Sequence, residues 1–266
     1  VEDPANASSG PSSASSRRHT IHAPVFINLK TRNGKLAFRR LLQQSDVLLE
    51  SVRPGFLQGL GFGNKQLQQI NHRLIHISIS GFGQTGPRKN YLGSDAVYAA
   101  FGGQMYVTGI PSGKPLKLAG LQAYYTASLF AANAVILNLR KRKMTGAGCH
   151  IDLSIQEAVA STLDHVLVDY FHDGTLSDRH GDDYAQEPFT VVRCKDGYIQ
   201  IPILRNWDTV RELLESEGCA GSLQKDAWQD TAYREKHYAT LTEAVQGWTQ
   251  RQTKRKLFVL GQAMGF

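Results

Sequence analysis

Histidine and acidic side chains at short spacing are the first candidates for chemistry in this sequence. His72 and His76 stand four residues apart, which is the spacing of two metal ligands on one helix face. Leu74, Ile75 and Ile77 surround His76 with apolar residues and predict a strand instead. Because a turn-to-strand junction holds two ligands poorly, we interpret these histidines as surface and strand residues.

A second group of ionisable residues decorates an apolar helical stretch. It consists of Asp164, His165, Asp169 and His172. The group resembles a carboxylate–histidine metal cluster, but no second pair of ligands supports it, so a solvated or interdomain helix face is favoured and no metal is predicted. The glycine-rich dinucleotide motif, the P-loop and the nucleophile elbow of hydrolases are also missing from the sequence.

The stretch IHISISGFGQTGP, residues 75–87, joins a hydrophobic run to a loop of small and polar residues. Its first half alternates Ile with His and Ser, and its second half contains three glycines. This pattern predicts a strand that ends in a turn. A strand of this kind can deliver a ligand site to its own tip.

The elements around this stretch alternate between strand and helix. We predict a β-rich run at 25–30, a helix at 34–44, a β-rich run at 46–51, a short helix at 64–71 and a strand at 74–80. The order β-α-β-α-β builds a parallel, doubly wound sheet, in which ligands bind at the carboxyl ends of the strands. The predicted fold class is therefore α/β, with the glycine-rich loop at the ligand-binding edge.

The later sequence is mostly helical. Helices are predicted at 94–103 and 122–143, and a strand at 149–154 is followed by another helix. The pair Asp196-Gly197 between two β-rich runs predicts a hairpin. Further helices are predicted at about 205–217, 233–249 and 253–263.

Changes in composition divide the chain into three segments. Residues 1–23 include a Ser-, Gly- and Pro-rich stretch and are predicted to be flexible. Residues 24–175 form the predicted large domain, and residues 188–266 form a smaller α+β domain. The sequence opens with Val1 rather than Met, and we expect it to be a piece of a longer polypeptide.

Composition limits the class of protein. A chain of 266 residues with 41% hydrophobic content can bury a full core, and no apolar run suggests a membrane span or a signal peptide. Cys149, Cys194 and Cys219 are odd in number and far apart, which predicts reduced thiols and a cytoplasmic location. The formal charge of +7 suits nucleic acid or a small polyanion, but the basic residues are dispersed and lack interleaved aromatic residues, so no nucleic-acid partner is predicted.

Four stretches, taken in order, resemble one protein family. They are SDVLLESVRPGFLQGLGFG, LIHISISGFGQTGP, GSDAVYAAFGGQMYVTG and KMTGAGCHIDLSIQEAVAS. Together they resemble the class III CoA-transferases of the CaiB/BaiF type, which include formyl-CoA transferase, benzylsuccinate CoA-transferase and α-methylacyl-CoA racemase. The resemblance covers residues 25–162, and the later CKDGYIQI hairpin with Asn206-Trp207 is similar to the family's small domain.

The resemblance implies a Rossmann-like, CoA-binding large domain and a small domain, with two protomers threaded through each other as interlocked rings. It also implies that both domains are partial here, because the family's fold extends before Val1 and beyond Phe266. The implied substrates are an acyl-CoA and a carboxylic acid, with coenzyme A as the cofactor and no metal. The implied partner is a second copy of this chain or a homologous subunit, and no membrane is involved.

The stretches that contact CoA in the family correspond to two loops and one helix start in this chain. The cofactor-binding candidates are Ile27, Asn28, Leu29, Lys30, Ser51, Val52, Arg53 and Ser94. Loops at strand ends offer backbone N–H groups to phosphate oxygens, and Lys30 and Arg53 add charge. The alternatives are that Lys30 is merely solvated and that Arg53 pairs with Glu50. By the same resemblance, the small residues of the glycine-rich loop let a pantetheine arm pass.

In this family a carboxylate attacks the acyl-CoA thioester, takes CoA as an enzyme thioester and yields it to the acceptor acid. The family's spacing from the Thr of its KTG turn, applied to Thr145, places Tyr124 at the position of this nucleophilic Asp. A phenol with a pKa of about 10 is protonated at neutral pH and cannot become a thioester of CoA. The resemblance therefore implies that this chain lacks the usual nucleophile.

Asp95 is the nearest carboxylate, since no Asp or Glu follows it before Asp152. It matches an acidic position beside the family's active site, which makes it the single candidate catalytic residue. Its alternative role is the N-cap of a helix at 96–102. Ser94 stands where racemase members carry His, so racemase chemistry is disfavoured.

Three functions remain open from the sequence. The first is a subunit of a heteromeric CoA-transferase whose partner bears the nucleophilic Asp. The second is a self-sufficient CoA-transferase that uses Asp95 or another carboxylate. The third is a CoA-binding or scaffold protein without catalytic activity.

Overall fold

The computed structural model of the chain describes residues 25–163, 165–179, 181, 189–202 and 207–265. The predictions for residues 1–23, Asp164 and Asn206 lie outside this range. Among the described residues, no helix combines the length and the apolar character that crossing a bilayer requires.

The chain divides into two compact units. The first extends to Met105 and includes Lys117–Leu176, and the second comprises Tyr106–Leu116 and the residues from Ser177 onward. That these units are a CoA-binding domain and a small domain stays a prediction.

The elements from Arg32 to Asp173 alternate as an α/β protein. In chain order they are α1 (Arg32–Gln44), β1 (Val47–Glu50), α2 (Phe56–Gly59), α3 (Asn64–Ile70), β2 (Ile75–Ser80), α4 (Asp95–Phe101), α5 (Gln104–Val107), α6 (Gln122–Thr145), β3 (Cys149–Ser154), α7 (Ile155–Ala160) and α8 (Val166–Asp173). The three strands are parallel and adjacent in the order β1-β2-β3. The predicted α/β class with a parallel sheet is confirmed.

The first predicted strand, at 25–30, does not form. Phe26 makes a single bridge, and a turn begins at Leu29. The reason is Asn28, whose side-chain Oδ1 accepts a hydrogen bond from the Lys30 N–H at 3.0 Å while its carbonyl accepts one from the Thr31 N–H at 3.2 Å. These bonds curl the chain into α1 instead of extending it.

The later elements contain the predicted hairpin. They are β4 (Phe189–Cys194), β5 (Gly197–Pro202), α9 (Trp207–Ser216), two short 3₁₀ turns (Gly221–Gln224 and Asp226–Gln229), α10 (Thr231–Lys236), α11 (Tyr238–Thr249) and α12 (Lys254–Met264). The two strands pair antiparallel across the Asp196-Gly197 turn, as the sequence indicated. Their core includes Trp207, Leu214 and Leu241.

The single helix predicted at 233–249 is wrong, because the chain breaks it at His237. This residue has φ −112° and ψ 26°, outside the helical range. Its Nδ1 lies 2.8 Å from the Tyr233 carbonyl oxygen, and its ring stacks on the Tyr233 ring at 4.0 Å. The Tyr233 carbonyl also accepts the His237 backbone N–H at 3.0 Å, so the side chain shares this acceptor with the last hydrogen bond of α10.

The sheet has one apolar face, which α6 covers. Ile77 and Leu153 point to this side and share a buried cluster with Ala123, Ala127 and Ala131 of α6. The alanines recur every fourth residue and lie on one face of the helix. Their small size lets the helix approach the sheet closely.

Arg142 anchors the last turn of α6 to the amino ends of the strands. Its Nη2 donates to the Asp46 Oδ1 at 2.7 Å, and its Nη1 donates to the Arg73 carbonyl at 3.0 Å. Asp46 and Arg73 precede β1 and β2, and α6 packs along β2 and β3. The first turn of α6 therefore lies toward the carboxyl ends of the strands, where sheets of this kind bind ligands.

The opposite face of the sheet is polar. The strand register places His76 beside His150 and Glu50 beside Ser78. With Asn64 from the start of α3, these residues form what we call the histidine cluster. Its two imidazole rings stack with centroids 4.6 Å apart.

Hydrogen bonds fix where the protons lie in the histidine cluster. The Asn64 amide donates from Nδ2 to the His150 Nδ1 at 2.9 Å, and its Oδ1 accepts from the His76 Nδ1 at 2.9 Å. The His150 Nε2 then carries the hydrogen and donates to the Ser78 hydroxyl at 2.9 Å, which donates in turn to the Glu50 Oε1. The His76 Nε2 lies 3.0 Å from the same Glu50 oxygen.

Burial and neighbouring groups shift the pKa values of two residues of the histidine cluster, His150 and Glu50. Burial lowers the pKa of His150, His76 lowers it further, and Asp152 and Glu50 oppose the change in part. Burial alone would raise the pKa of Glu50, but hydrogen bonds from His76 and Ser78 outweigh it and the net pKa is lowered. The cluster therefore favours an ionised Glu50 and a neutral His150.

The lowered pKa of His150 predicts a pH-dependent stability. Below pH 6.5, the ordinary pKa of a histidine, the unfolded chain binds a proton at His150 more readily than the folded protein does. The free energy of unfolding therefore does not depend on this group above pH 6.5, and it decreases as the pH falls below that value. We expect His150→Gln to weaken this fall between pH 7 and pH 5. Urea unfolding of both proteins across this range measures it.

The control for this prediction is His72→Gln, because His72 is exposed and lies outside the cluster. It should keep the pH dependence of the original protein. Equal slopes for the original protein and His150→Gln would contradict the role given to His150.

Gly148, just before β3, lies against the backbone of Leu74, just before β2. A Cβ atom at this position would lie 2.0 Å from the Leu74 carbonyl oxygen, which is backbone and cannot turn away. We expect Gly148→Ala to lower the free energy of unfolding by about 2 kcal/mol or more, measured by urea denaturation. Gly59→Ala is the control, because no atom lies within 4 Å of its Cβ; a loss of similar size there would contradict the steric explanation.

Candidate functional site

The candidate site lies at the first turn of α6, where the carboxylate of Asp95 meets the helix. Asp95 is 4% exposed, and its Oδ1 accepts hydrogen bonds from the backbone N–H groups of Ala123 at 2.9 Å and Tyr124 at 3.3 Å. These are the second and third residues of α6. Asp95 therefore supplies the N-terminal cap that Leu121, the residue before the helix, does not provide.

The alternative role of Asp95 as the N-cap of its own helix is wrong. Ser94 is the residue before α4, and Asp95 is the first residue inside it. The side chain turns to α6 because the N–H groups of that helix have no other partner in the first turn. Sequence spacing could not show this, since the two helices are joined through a long loop.

Lys117 neutralises the other oxygen of Asp95. Its Nζ lies 2.9 Å from the Asp95 Oδ2 and also donates to the carbonyls of Leu118 and Gly120. Both oxygens of the carboxylate are thus engaged, one by the helix and one by an ammonium group. The sequence analysis did not identify Lys117, because no residue near it in the sequence indicates that it pairs with Asp95.

Tyr124, which the sequence analysis predicted at the position of the family nucleophile, lies in the first turn of α6. Its side chain is 37% exposed, and its ring meets the Tyr98 ring edge to face at 5.9 Å. Tyr98 is buried; burial raises the pKa of Tyr98 and the nearby Tyr124 raises it further, so it stays protonated at neutral pH. Two phenols thus stand at the helix start.

The glycine-rich loop packs against Tyr98 at this point. A Cβ atom at Gly81 would lie 2.5 Å from the Tyr98 ring, and one at Gly93 would lie 2.4 Å from it. The Gln84 N–H donates to both oxygens of Asp152 at 3.0 Å, which pins the loop to β3. The space that the sequence suggested for a ligand arm is, at Gly81, filled by this ring.

The two predicted CoA-binding loops differ in how much they expose. Ile27 is buried in a core cluster with Phe38 and Leu42, and Leu29 packs against the same cluster. The Asn28 side chain already accepts the Lys30 N–H within its own turn. Of the first loop only the side chain of Lys30 reaches a cavity, one of about 480 Å³ between α1 and α3.

The second loop lies exposed directly after β1. Ser51, Val52, Arg53 and the helix-start residue Ser94 are all exposed. The histidine cluster lines a separate cavity of about 300 Å³ close by, together with Pro54, Gly55 and Lys89. Lys30 and the histidine cluster therefore line different cavities, and Ser51–Arg53 lines neither of the two.

The alternative pairing of Arg53 with Glu50 does not occur, because Glu50 pairs with His76. The sequence analysis interpreted His76 as an ordinary strand residue and missed the histidine cluster. A signal was present: polar residues occupy every second position of β2 and of β3, at His76, Ser78, His150 and Asp152. In two neighbouring parallel strands this period places them on one face.

Comparison with known proteins identifies the family. A model described as CoA-transferase family III matches residues 9–266. The BbsE subunit of succinyl-CoA:(R)-benzylsuccinate CoA-transferase from Thauera aromatica is 33% identical over 245 residues, which are 89% of this chain and 59% of that protein. The beta subunit of succinyl-CoA–L-malate CoA-transferase from Chloroflexus aurantiacus is 31% identical and covers 88% of this chain and 58% of its own length.

The fold is shared with solved structures. A CAIB/BAIF family protein from Brucella suis superposes with a TM-score of 0.74 at 27% identity, over 90% of this chain and 63% of that one. This chain thus spans less than two thirds of the length of these relatives. Since the family model matches almost all of the sequence and the parallel-sheet fold agrees, the chain belongs to CoA-transferase family III.

Proposed function

We propose that this chain is one subunit of an enzyme that transfers CoA between an acyl-CoA and a carboxylic acid, and that a homologous subunit supplies the nucleophilic carboxylate. The observation that carries the proposal is Tyr124 in the first turn of α6. The family nucleophile belongs at this position, and a phenol cannot become a thioester of CoA. A partner with Asp at the corresponding position restores the chemistry.

The engagement of Asp95 supports this proposal over a self-sufficient enzyme. A carboxylate that attacks a carbonyl carbon must turn a free lone pair toward it. The Asp95 carboxylate is 4% exposed and both of its oxygens are engaged, so turning it toward a substrate would uncap α6 and weaken its ion pair with Lys117. We therefore assign Asp95 the task of holding the helix start in place.

Relatives that work as subunits point the same way. The relative from Thauera aromatica is named a subunit, and the L-malate enzyme of Chloroflexus aurantiacus has an alpha and a beta subunit in its name. The alpha subunit is 36% identical to this chain over 176 residues. Such names support a heteromeric assembly without identifying the acids that this protein uses.

In the proposed reaction, a carboxylate of the homologous subunit is the nucleophile. This carboxylate attacks the thioester carbonyl carbon and the C–S bond breaks. The CoA thiolate departs, and a mixed anhydride of the donor acid and the enzyme carboxylate remains. The thiolate then attacks the enzyme-side carbonyl, which releases the donor acid and leaves CoA on the enzyme as a thioester. The acceptor carboxylate repeats these two steps in the opposite direction, so no net proton, electron or metal is required.

This chain would contribute binding groups and a rigid frame. Arg53 and Lys30 are exposed cations on predicted CoA loops, and Ser51 offers its backbone N–H at a strand end. Cys149, Cys194 and Cys219 are free thiols, which fits the proposed cytoplasmic setting.

The first test is the appearance of an enzyme–CoA thioester. We expect the full-length protein alone to gain no CoA adduct when it is incubated with acyl-CoA donors, whereas Tyr124→Asp gains one because a carboxylate then stands at the helix start. Intact-mass spectrometry detects the adduct, and hydroxylamine should remove it.

Tyr125→Asp is the matched control, since Tyr125 is the next residue of α6 and is also exposed. It should gain no adduct. An adduct on the unaltered lone protein would overturn the partner-subunit proposal, and CoA transfer by the lone protein would favour the self-sufficient enzyme. CoA binding without transfer, even beside a homologous subunit, would favour a non-catalytic homologue.

The second test separates a structural from a catalytic Asp95. We expect Asp95→Asn to reduce the free energy of unfolding by about 2 kcal/mol, because the buried carboxylate that caps α6 and pairs with Lys117 loses its charge. Lys117→Met should cost a similar amount, and the double variant less than the sum of the two. Abolished transfer with unchanged stability in Asp95→Asn would instead make Asp95 the nucleophile.

A further inference from the structure

The hydrogen bonds of the histidine cluster close into a ring. Glu50 contacts His76, His76 contacts Asn64, Asn64 contacts His150, His150 contacts Ser78, and Ser78 returns to Glu50. The ring joins all three strands of the parallel sheet to the start of α3. Because each bond sets which atom donates in the next one, the ring has a defined direction.

The ring is satisfied when its two histidines share one extra proton. Both nitrogens of His76 face acceptors, the Asn64 Oδ1 at 2.9 Å and the Glu50 Oε1 at 3.0 Å, so both can carry hydrogen. His150 has the opposite requirement at Nδ1, which must lack hydrogen to accept from the Asn64 amide at 2.9 Å. One imidazolium, one neutral imidazole and one carboxylate therefore satisfy the ring.

A second proton does not fit this arrangement. With hydrogen at Nδ1, His150 would point a donor at the amide Nδ2 of Asn64, which is also a donor. Rotating the amide does not help, because its single oxygen would then turn away from His76. The two imidazole rings also stack with centroids 4.6 Å apart, so two positive charges would repel each other.

The other charged groups around His150 do not remove this conflict. They are Glu50 on β1, Asp152 on β3 and Lys89, which lines the same cavity. From α3, the neutral amide of Asn64 faces the ring. Glu50 and Asp152 oppose the effects of burial and of His76 only in part, so the pKa of His150 is lowered. The surroundings therefore favour the same neutral His150 that the ring requires.

Asn64 is the residue of the ring that can leave most easily. It is exposed, so water can replace its hydrogen bonds, whereas His76 and Ser78 are buried. It is also the first residue of α3, and the preceding Gly63 has no side chain with which to cap the helix. The first turn of α3 is closed by a backbone hydrogen bond from the Leu67 N–H to the Gly63 carbonyl at 2.9 Å.

We propose that the histidine cluster is a pH-sensitive switch that releases the first turn of α3 when both of its histidines are protonated. Release turns Asn64 toward water and leaves His76 bonded to Glu50. Gly63 and Asn64 line the cavity of about 300 Å³, so the same movement opens that cavity on one side. The switch operates below pH 6.5, because the second proton enters at His150, whose pKa lies below this ordinary value.

The switch is joined to the predicted CoA loop through the chain. Glu50 precedes residues 51–63 and Asn64 follows them, so His76 holds both ends of this segment. A loss of CoA affinity on acidification rests on the proposed function, because the CoA role of Ser51–Arg53 is part of that proposal. The release of α3 does not rest on it, since it requires no ligand.

The experiment measures amide hydrogen exchange of the full-length protein by mass spectrometry at pH 7 and pH 5, without ligand and corrected for the intrinsic exchange rate. We expect the protection of peptides that cover Leu67 to fall by about tenfold or more at pH 5, and that of peptides around Ala131 in α6 to change by less than about threefold. No fall at Leu67 would overturn the switch. An equal fall in both regions would also overturn it, because it would show global unfolding.

Two variants separate the proton from the hydrogen bond. His150→Asn cannot be protonated, but its side-chain oxygen can still accept from Asn64, so α3 should stay protected at pH 5. Asn64→Ala lacks the link, so α3 should exchange equally fast at pH 7 and pH 5. The control is His72→Gln, at an exposed position outside the cluster, which should behave like the original protein.

The variants can also contradict the switch. A loss of protection at pH 5 that persists in His150→Asn would overturn it, and so would an unchanged pH dependence in Asn64→Ala. Circular dichroism at both pH values should show that each variant is folded. A failed test of the enzyme–CoA thioester would count against the proposed function and leave these results unaffected.

Discussion

The buried carboxylate of Asp95 is the interaction on which the candidate site depends. It joins three segments that are distant in sequence: the start of α4, the loop at Lys117 and the first turn of α6. A carboxylate that is 4% exposed is stable only when hydrogen bonds or opposite charge replace the lost water, and here the helix N-terminus and an ammonium group both do so. The backbone of Tyr124 is held by the same contact. Whatever side chain stands at this position is therefore presented from a fixed point.

The two faces of the sheet differ in polarity. The apolar face packs on the alanine stripe of α6, and Arg142 holds the far end of that helix to the amino ends of the strands. On the polar face, a chain of hydrogen bonds runs through Asn64, His150, Ser78 and Glu50. Because each bond fixes the orientation of the next group, the cluster defines the end of β1 from which the Ser51–Arg53 loop departs.

Charge is separated along the chain. Residues 25–73, which include α1 and α3, have a net charge of +6 out of the chain's +7, while the start of α6 is electrically balanced by Asp95 and Lys117. A surface with this sign attracts anionic ligands over a range of about one Debye length.

The sequence by itself determined the α/β class, the parallel order of strands, the hairpin at Asp196-Gly197 and the family. These depend on local periodicity, turn chemistry and contiguous motifs, which neighbouring residues are enough to specify. Tertiary structure decided that Asp95 caps α6 rather than α4 and that Glu50 pairs with His76 rather than Arg53. Partners such as Lys117 and His150 are brought together by the packing of separate elements, and side-chain hydrogen bonds form with whichever donors that packing leaves within reach.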